Sequence, residues 1–133
     1  MSSTIEGRSQ ELLQAKNFCH VATLRADGSV HGVPVWVDVK DGLAVLNTAE
    51  GRAWPRNLER DPRVTLTVQN MENPYEYVSI RGRETERTTD GADEHIDAMA
   101  KKYMDRDSYP LRQPGEQRLI IKVRPEEVKV WGN

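Results

Sequence analysis

Four arginines, Arg52, Arg56, Arg60 and Arg63, recur every three or four residues after a short apolar run that breaks at Gly51. Residues three and four apart share a helix face, so a short helix here would align its guanidinium groups beside its own N-terminus. Arginine grips phosphate through a planar two-pronged fork, and helix N-termini attract anions. The whole chain carries a net charge of -2, so the stripe does not follow from a basic composition. Two readings stand side by side: a phosphate site, or a solvated helix face whose arginines pair with Glu50, Glu59 and Asp61.

The other reactive side chains offer less. Cys19 is the only cysteine and lies in an apolar strand, which excludes an internal disulfide and a cysteine-based metal cluster and fits a buried small hydrophobe. His20, His31 and His95 are scattered, with no pair at helix-face spacing for a metal. His95 reads as a surface residue of a late helix, and His20 and His31 as a structural pair on facing strands. Carboxylates concentrate in turns and helix starts, where Asp90 and Asp93 suit capping and dipole roles. No nucleophile–base pair and no general acid–base pair for hydrolysis stands out, so neither catalytic side chains nor metal ligands are assigned. That pattern fits redox chemistry supplied by a cofactor and positioned by the protein.

The elements that must position these residues are mostly strands. At 133 residues, with 37% hydrophobic and 30% charged residues, the chain suits one globular domain, 1–133. No stretch approaches ~20 apolar residues, so no membrane span is expected, and the N-terminus lacks a secretory pattern, which leaves the cytoplasm as the expected location. An N-terminal helical segment occupies 1–17, with its helix over 9–16 and Ser9 as N-cap. Strands are expected over 18–25, 30–39, 43–47, 64–68 and 75–86, with the last strand or strands over 119–123 and 128–131. Asp27-Gly28 and Asp41-Gly42 supply tight turns. In 30–39, Val33, Val35, Val37 and Val39 share one face, and Pro34 marks an edge or a bulge. A helix over 90–104, capped by Asp90, carries an apolar stripe of Ala92, Ile96, Met99, Ala100 and Tyr103. The loop 105–115 holds Tyr109 and Arg112, residue types suited to closing over a site. Many hairpin-linked strands and few helices point to an antiparallel barrel.

Three pieces carry a resemblance to a known family. Phe18-Cys19-His20-Val21-Ala22-Thr23-Leu24-Arg25-Ala26-Asp27-Gly28-Ser29 looks like its first hairpin, and Val33-Pro34-Val35-Trp36-Val37 like its ring-side strand. Gly51-Arg52 with Arg56-Asn57-Leu58 and Arg60-Asp61-Pro62-Arg63-Val64 looks like its phosphate-binding turn and the strand that follows. Together with Asn73-Pro74-Tyr75-Glu76-Tyr77-Val78 and Ile80-Arg81-Gly82-Arg83, they resemble the split-barrel flavin and deazaflavin reductases, which include pyridoxamine 5'-phosphate oxidase, over nearly the whole chain. The branch that uses coenzyme F420 resembles it most.

The resemblance implies an all-β fold with minor helices: a Greek-key antiparallel split β-barrel of six to seven strands, the FMN-binding split barrel, forming a homodimer. It implies cofactor-phosphate contacts at Asn47, Thr48, Ala49, Arg52, Arg56 and Asn57, and ring contacts at Pro34, Val35 and Trp36. Tyr75, Tyr77, Tyr109 and Arg112 would complete the pocket across two subunits. Trp54 stands where many relatives carry a lysine: either the missing ammonium weakens phosphate binding unless Arg52 or Arg56 compensates, or the indole stacks on a ring of the cofactor or substrate. The implied activity is hydride transfer from reduced F420 to an electron-poor small-molecule acceptor of the enone, quinone or tetrapyrrole type. The alternatives are an FMN-dependent oxidoreductase of the same barrel and a non-catalytic flavin-, deazaflavin- or haem-binding protein. Nucleic-acid binding is disfavoured by net acidity and the lack of a basic, aromatic-studded sheet face.

Overall fold

The computed structural model describes residues 2–132. Seven strands form one antiparallel sheet: β1 (Cys19–Leu24), β2 (Val30–Val35), β3 (Asp38–Lys40), β4 (Leu43–Ala49), β5 (Arg63–Gln69), β6 (Tyr77–Thr88) and β7 (Arg118–Trp131). Their order across the sheet is β2-β1-β5-β6-β7-β4-β3. Three helices accompany them: α1 (Arg8–Gln14), α2 (Ala53–Arg60) and α3 (Ala92–Met104).

The strand order forces the shape. Neighbouring strands lie about 4.8 Å apart, so a flat seven-stranded sheet would hold its edges roughly 29 Å apart. The two edges here are β2 and β3, and only Trp36 and Val37 separate them along the chain. Three Cα steps reach at most about 11 Å. The sheet therefore curls until its edges meet, giving an all-β split barrel closed by the chain itself rather than by a ladder.

This is where the structure departs from a single strand over 30–39. Trp36 and Val37 leave the ladder, and their backbone groups need other partners. Helix α3 provides those of Val37. The Val37 N–H donates to the Tyr103 hydroxyl (3.1 Å), which donates in turn to the Asn17 carbonyl (2.6 Å). Lys102 Nζ donates to the Val37 carbonyl and to the Leu13 carbonyl, both at 2.7 Å. Burial lowers the Lys102 pKa to about 8, with Asp38 acting in the opposite sense. Pro34 sits on the edge strand β2, where a missing N–H costs no ladder bond.

The barrel interior is filled by alternating strand residues, among them Val21, Leu46, Leu66, Ile80 and Ile121, with Leu12 and Leu13 of α1 packed against them. Val64, Leu66 and Val68 point inward as their alternation requires. Strand β4 is buried on both faces because Ala44 and Leu46 face the core while Asn47 lies under α3. Cys19 is fully buried, and burial pushes its thiol up to about 12, so it behaves as a core hydrophobe. At the hairpin between β3 and β4, Asp41 and Gly42 both take positive φ, 54° and 78°, which matches the tight turn expected of that pair. In β6 a bulge at Arg81/Gly82 brings Gly82 against β7 so closely that an added Cβ would run into the Arg124 carbonyl oxygen.

Several local expectations are corrected. Ser9 does not cap α1. Its hydroxyl instead exchanges hydrogen bonds with the backbone of Glu6 (2.9 and 2.8 Å), and Gly7 is the N-cap. Asp90 does not cap α3, because Gly91 at φ 74° holds that position. His20 and His31 do not pair, since His20 faces Pro34 and His31 faces Thr23 in the ladder. No described helix is long and apolar enough to cross a membrane.

Two outcomes follow from these contacts. Tyr103→Phe strands the Val37 N–H and the Asn17 carbonyl, so unfolding free energy should fall by about 1–3 kcal/mol, read as a lower urea midpoint at unchanged m-value. Arg8, which grips Glu76 through Nε at 2.6 Å, and then Asn70 hold the Glu76 carboxyl down to about 2. Its ordinary value is 4.5, so between these values the unfolded chain binds more protons than the folded one. The Glu76 contribution is therefore complete above pH 4.5 and lost as pH falls through about 2. Glu76→Gln should flatten the stability profile across that window, and an unchanged slope would rule the contact out as its source.

Candidate functional site

A pocket of about 380 Å³ opens beside the barrel split. Its aromatic wall follows from the edge-to-edge link. Val35 and Val37 pack toward the barrel core, so the Trp36 ring between them points outward and stacks on Tyr103 with centroids 5.1 Å apart and planes 4° apart. Phe18 stacks on Tyr103 in the same pile (5.9 Å), and Tyr109 meets Trp36 edge-on (5.9 Å). Ile96, Met99 and Tyr103 form an apolar cluster of α3 outside the barrel core, with Trp36 and Tyr109 against it. The apolar stripe expected on α3 is the buried face, and its target is this pile rather than the barrel interior.

The polar side of the pocket is built on Arg118, the first residue of β7, which is only 3% exposed. Its Nε donates to Asn47 Oδ1 (2.9 Å) and its Nη1 to Glu116 Oε1 (2.7 Å). The guanidinium carbon lies 5.2 Å from the Tyr109 ring centroid. Burial works against the Glu116 charge, yet hydrogen bonds from Arg118 and the Gln113 N–H, with Arg118 and Arg52 nearby, hold its pKa below the usual value. Asn47 Nδ2 donates to the Ala92 carbonyl (2.9 Å) and meets His95 Nδ1 at 3.0 Å. His95 is therefore not the surface residue its sequence context implied. It is largely buried, with Nε2 unbonded among the described residues and 3.7 Å from Asp38 Oδ2.

Of the residues singled out from the sequence, Pro34, Val35, Trp36, Asn47, Arg52 and Tyr109 meet at this pocket. Thr48 and Ala49 continue β4 but are buried away from it, and the Thr48 hydroxyl has no partner among the described residues. Trp54 belongs to the barrel core at 3% exposure, so its ring presents no face for stacking on a ligand. Asn57 is a packing residue: its Nδ2 donates to the Thr23 hydroxyl (3.1 Å) and its Oδ1 accepts from Arg60. Arg56 is exposed and outside the pocket. Tyr75 is 84% exposed on the loop before β6, and Tyr77 starts β6 opposite Trp131, both away from this pocket. Arg112 lies beside the pocket and ties the 105–115 loop to α3 through Asp93 (3.0 Å) and Asp97 (2.8 Å).

The arginine stripe does not converge. Arg52 is the residue before α2 and reaches the pocket, with Glu116 3.4 Å away. Arg60 donates to the Leu24 carbonyl. Arg63 lies in β5 rather than on the helix and pairs with Asp61 (2.7 Å). Together with Arg81 and Arg83, paired to Glu127 and Glu126, it lines a separate depression of about 670 Å³. Phe18, Ile96, Leu111 and Arg118 line the pocket without having been singled out as ligand contacts. Arg118 had one weak signal, a lone charge at the head of the apolar run Leu119-Ile120-Ile121.

A family model described as pyridoxamine 5'-phosphate oxidase matches residues 5–132. No curated protein matches the sequence significantly. Among solved structures, one named F420 reductase is 25% identical, with a TM-score of 0.79 over 90% of this chain and 94% of its own. A conserved hypothetical protein from Mycobacterium tuberculosis is 19% identical, with a TM-score of 0.73 over 98% of this chain and 88% of its own. General Stress Protein 26 from Bacillus anthracis is 16% identical, with a TM-score of 0.68 over 91% and 88%; these last two likenesses establish the fold alone. The seven-stranded split barrel and a family match across almost the whole chain agree, and the chain belongs to the pyridoxamine 5'-phosphate oxidase family.

Proposed function

We propose that this protein is an F420-dependent reductase that passes a hydride from the reduced deazaflavin to an electron-poor small molecule of the enone, quinone or tetrapyrrole type. The observation that carries this reading is the likeness to an F420 reductase over 90% of the chain at 25% identity. The pocket's own chemistry is compatible with it. A flat ring with carbonyl oxygens needs apolar walls and a few directed donors, and the pocket offers Trp36, Phe18 and Tyr109 beside Arg118. When bound, the deazaflavin supplies the hydride. The protein's tasks are to hold the ring against Trp36, to exclude water with the aromatic pile, and to receive the cofactor phosphate at Arg52, which precedes the first turn of α2. Tyr109 carries the one hydroxyl among the pocket's lining side chains in the described residues, and it is the candidate to return a proton to the reduced acceptor.

A second copy of the chain would close the open side of the pocket in a homodimer, with Tyr75, Tyr77 and Arg112 as candidates for reaching it. FMN is the runner-up cofactor, favoured by the family's oxidase namesake. Thr48, Ala49, Arg56 and Asn57 remain in the proposal only as supports of the turn that carries Arg52.

The test is titration of the purified protein with F420 and, separately, with FMN, followed by ligand fluorescence. F420 is expected to bind and FMN to bind more weakly, and the reverse order would move the protein to the flavin branch. Arg52→Ala should cost roughly 1.5–3 kcal/mol of F420 affinity if it meets a phosphate; an unchanged affinity removes that role. Light scattering of the F420-loaded protein should give twice the 15.2 kDa chain mass, and a monomer would remove the shared pocket.

A further inference from the structure

Arg118 is a charged side chain taken almost wholly out of water, which is costly unless every donor has a purpose. Its side chain is 2% exposed, and two of its three nitrogens are committed, Nε to Asn47 and Nη1 to Glu116. Among the described residues Nη2 makes no hydrogen bond, and the residue lines the pocket beside Trp36 and Tyr109. The fork is held at its other end by a chain of fixed polarity. Asn47 Oδ1 accepts from Arg118 Nε, so the amide nitrogen must be the atom that faces Ala92 O and His95 Nδ1. Rotating the amide by half a turn would set N–H against N–H at Arg118 and oxygen against oxygen at Ala92.

Because Asn47 donates to it, His95 Nδ1 is an acceptor and carries no proton. The neutral ring then bears its hydrogen on Nε2, the atom aimed toward Asp38 at 3.7 Å. The charged groups around this ring are Asp38 on β3, Lys102 further along α3 and near Asp38, and Arg118 beyond Asn47.

We propose that Arg118 is the ring-anchoring residue of the pocket. Its unused Nη2 donates to a carbonyl or anionic oxygen of a flat conjugated ring lying against Trp36, and His95, through Asn47, is the positioning residue that fixes the direction of the fork. This rests on the proposed cofactor reading only in that a planar, oxygen-bearing ring binds here, and it assigns a role distinct from the phosphate role of Arg52. Lysine cannot substitute, because one ammonium cannot hold Asn47, Glu116 and a ring oxygen in a single plane.

The experiment is a fluorescence titration of wild type, Arg118→Gln, Arg118→Lys and Arg52→Ala. The probes are F420 and FMN, and their phosphate-free ring forms, 8-hydroxy-5-deazariboflavin and riboflavin. Arg118→Gln and Arg118→Lys should each lose about tenfold or more in affinity for phosphate-bearing and phosphate-free probes alike, the cost of one hydrogen bond to a charged group. Arg52→Ala should lose affinity for the phosphate-bearing probes only. A folded Arg118→Gln with wild-type affinity, or with losses confined to the phosphate-bearing probes, overturns the proposal while leaving the cofactor reading intact. If the flavins bind and the deazaflavins do not, the cofactor reading falls and the Arg118 role stands on the flavin data. Binding of no probe by wild type overturns both.

Should the Arg118 variants fail to fold by circular dichroism, the His95 pair decides. His95→Leu, which removes the acceptor for Asn47, should weaken ring binding, and His95→Gln, whose side-chain oxygen can accept in its place, should restore it. Equal affinity in the two overturns the positioning role. A ¹⁵N spectrum of the ligand-free protein supplies a readout independent of binding: His95 Nδ1 should show the shift of an unprotonated ring nitrogen at neutral pH, and a protonated Nδ1 would refute the network.

Discussion

The connection through Trp36 and Val37 is the constraint on which the rest of the molecule depends. Two residues carry the chain from one edge of a seven-stranded sheet to the other, so the sheet must curl and the barrel must be split there. A link that leaves the ladder exposes backbone donors and acceptors, and burying them unpaired would cost more than any single apolar contact returns. Tyr103 and Lys102 resolve this by bonding to Val37 from helix positions 66 and 65 residues later in the chain. The same link turns Val35 and Val37 toward the barrel core and the indole of Trp36 outward onto Tyr103. Fold closure and the aromatic wall of the pocket are thus two consequences of one short connection.

Helix α3 is consequently shared between stability and site. Its hydroxyl and ammonium close the split, its Tyr103 ring carries the stack of Trp36 and Phe18, and its first turn anchors Asn47 through the Ala92 carbonyl. Arg112 then folds the 105–115 loop back onto the same helix, setting Tyr109 at the pocket edge. A substitution on the buried face of α3 would register in both unfolding and ligand binding. Activity loss there needs a stability measurement beside it before any chemical role is inferred.

The parts of this arrangement that were legible in the sequence are those written in short-range pattern. The α3 stripe of Ala92, Ile96, Met99, Ala100 and Tyr103 is buried residue for residue, because a 3.6-residue period is a local signal. The alternation of Val64, Leu66 and Val68 and the Asp41-Gly42 turn held for the same reason. What the pattern could not convey is which partner a face meets. The valines of 30–39 keep one continuous alternation although the strand changes sheet edge between Val35 and Asp38, since the inward face remains inward across the link. His95 looked like a surface residue because its burial comes from Asp38 and Asn47, both far away in sequence. Arg118 escaped notice because arginine at a strand start is unremarkable until the strand beside it supplies an asparagine.

Trp54 shows how the same limit bears on charge. A lysine would add an ammonium near the turn that follows β4, whereas the indole fills the barrel core beside Leu58. Positive charge at the pocket must then come from elsewhere, and the four-arginine stripe does not provide it collectively. Arg63 is neutralised by Asp61 on the surface, and Arg60 is spent on the Leu24 carbonyl. Two cations are left facing the pocket, each in a different dielectric. Arg52 is half exposed and weakly paired, a screened charge suited to a solvated phosphate. Arg118 is buried, directional and held by Asn47 and Glu116, where a hydrogen bond to a ring oxygen gains strength from the exclusion of water. The two differ by burial: the exposed guanidinium of Arg52 is a screened charge, and the buried one of Arg118 is held in a fixed direction.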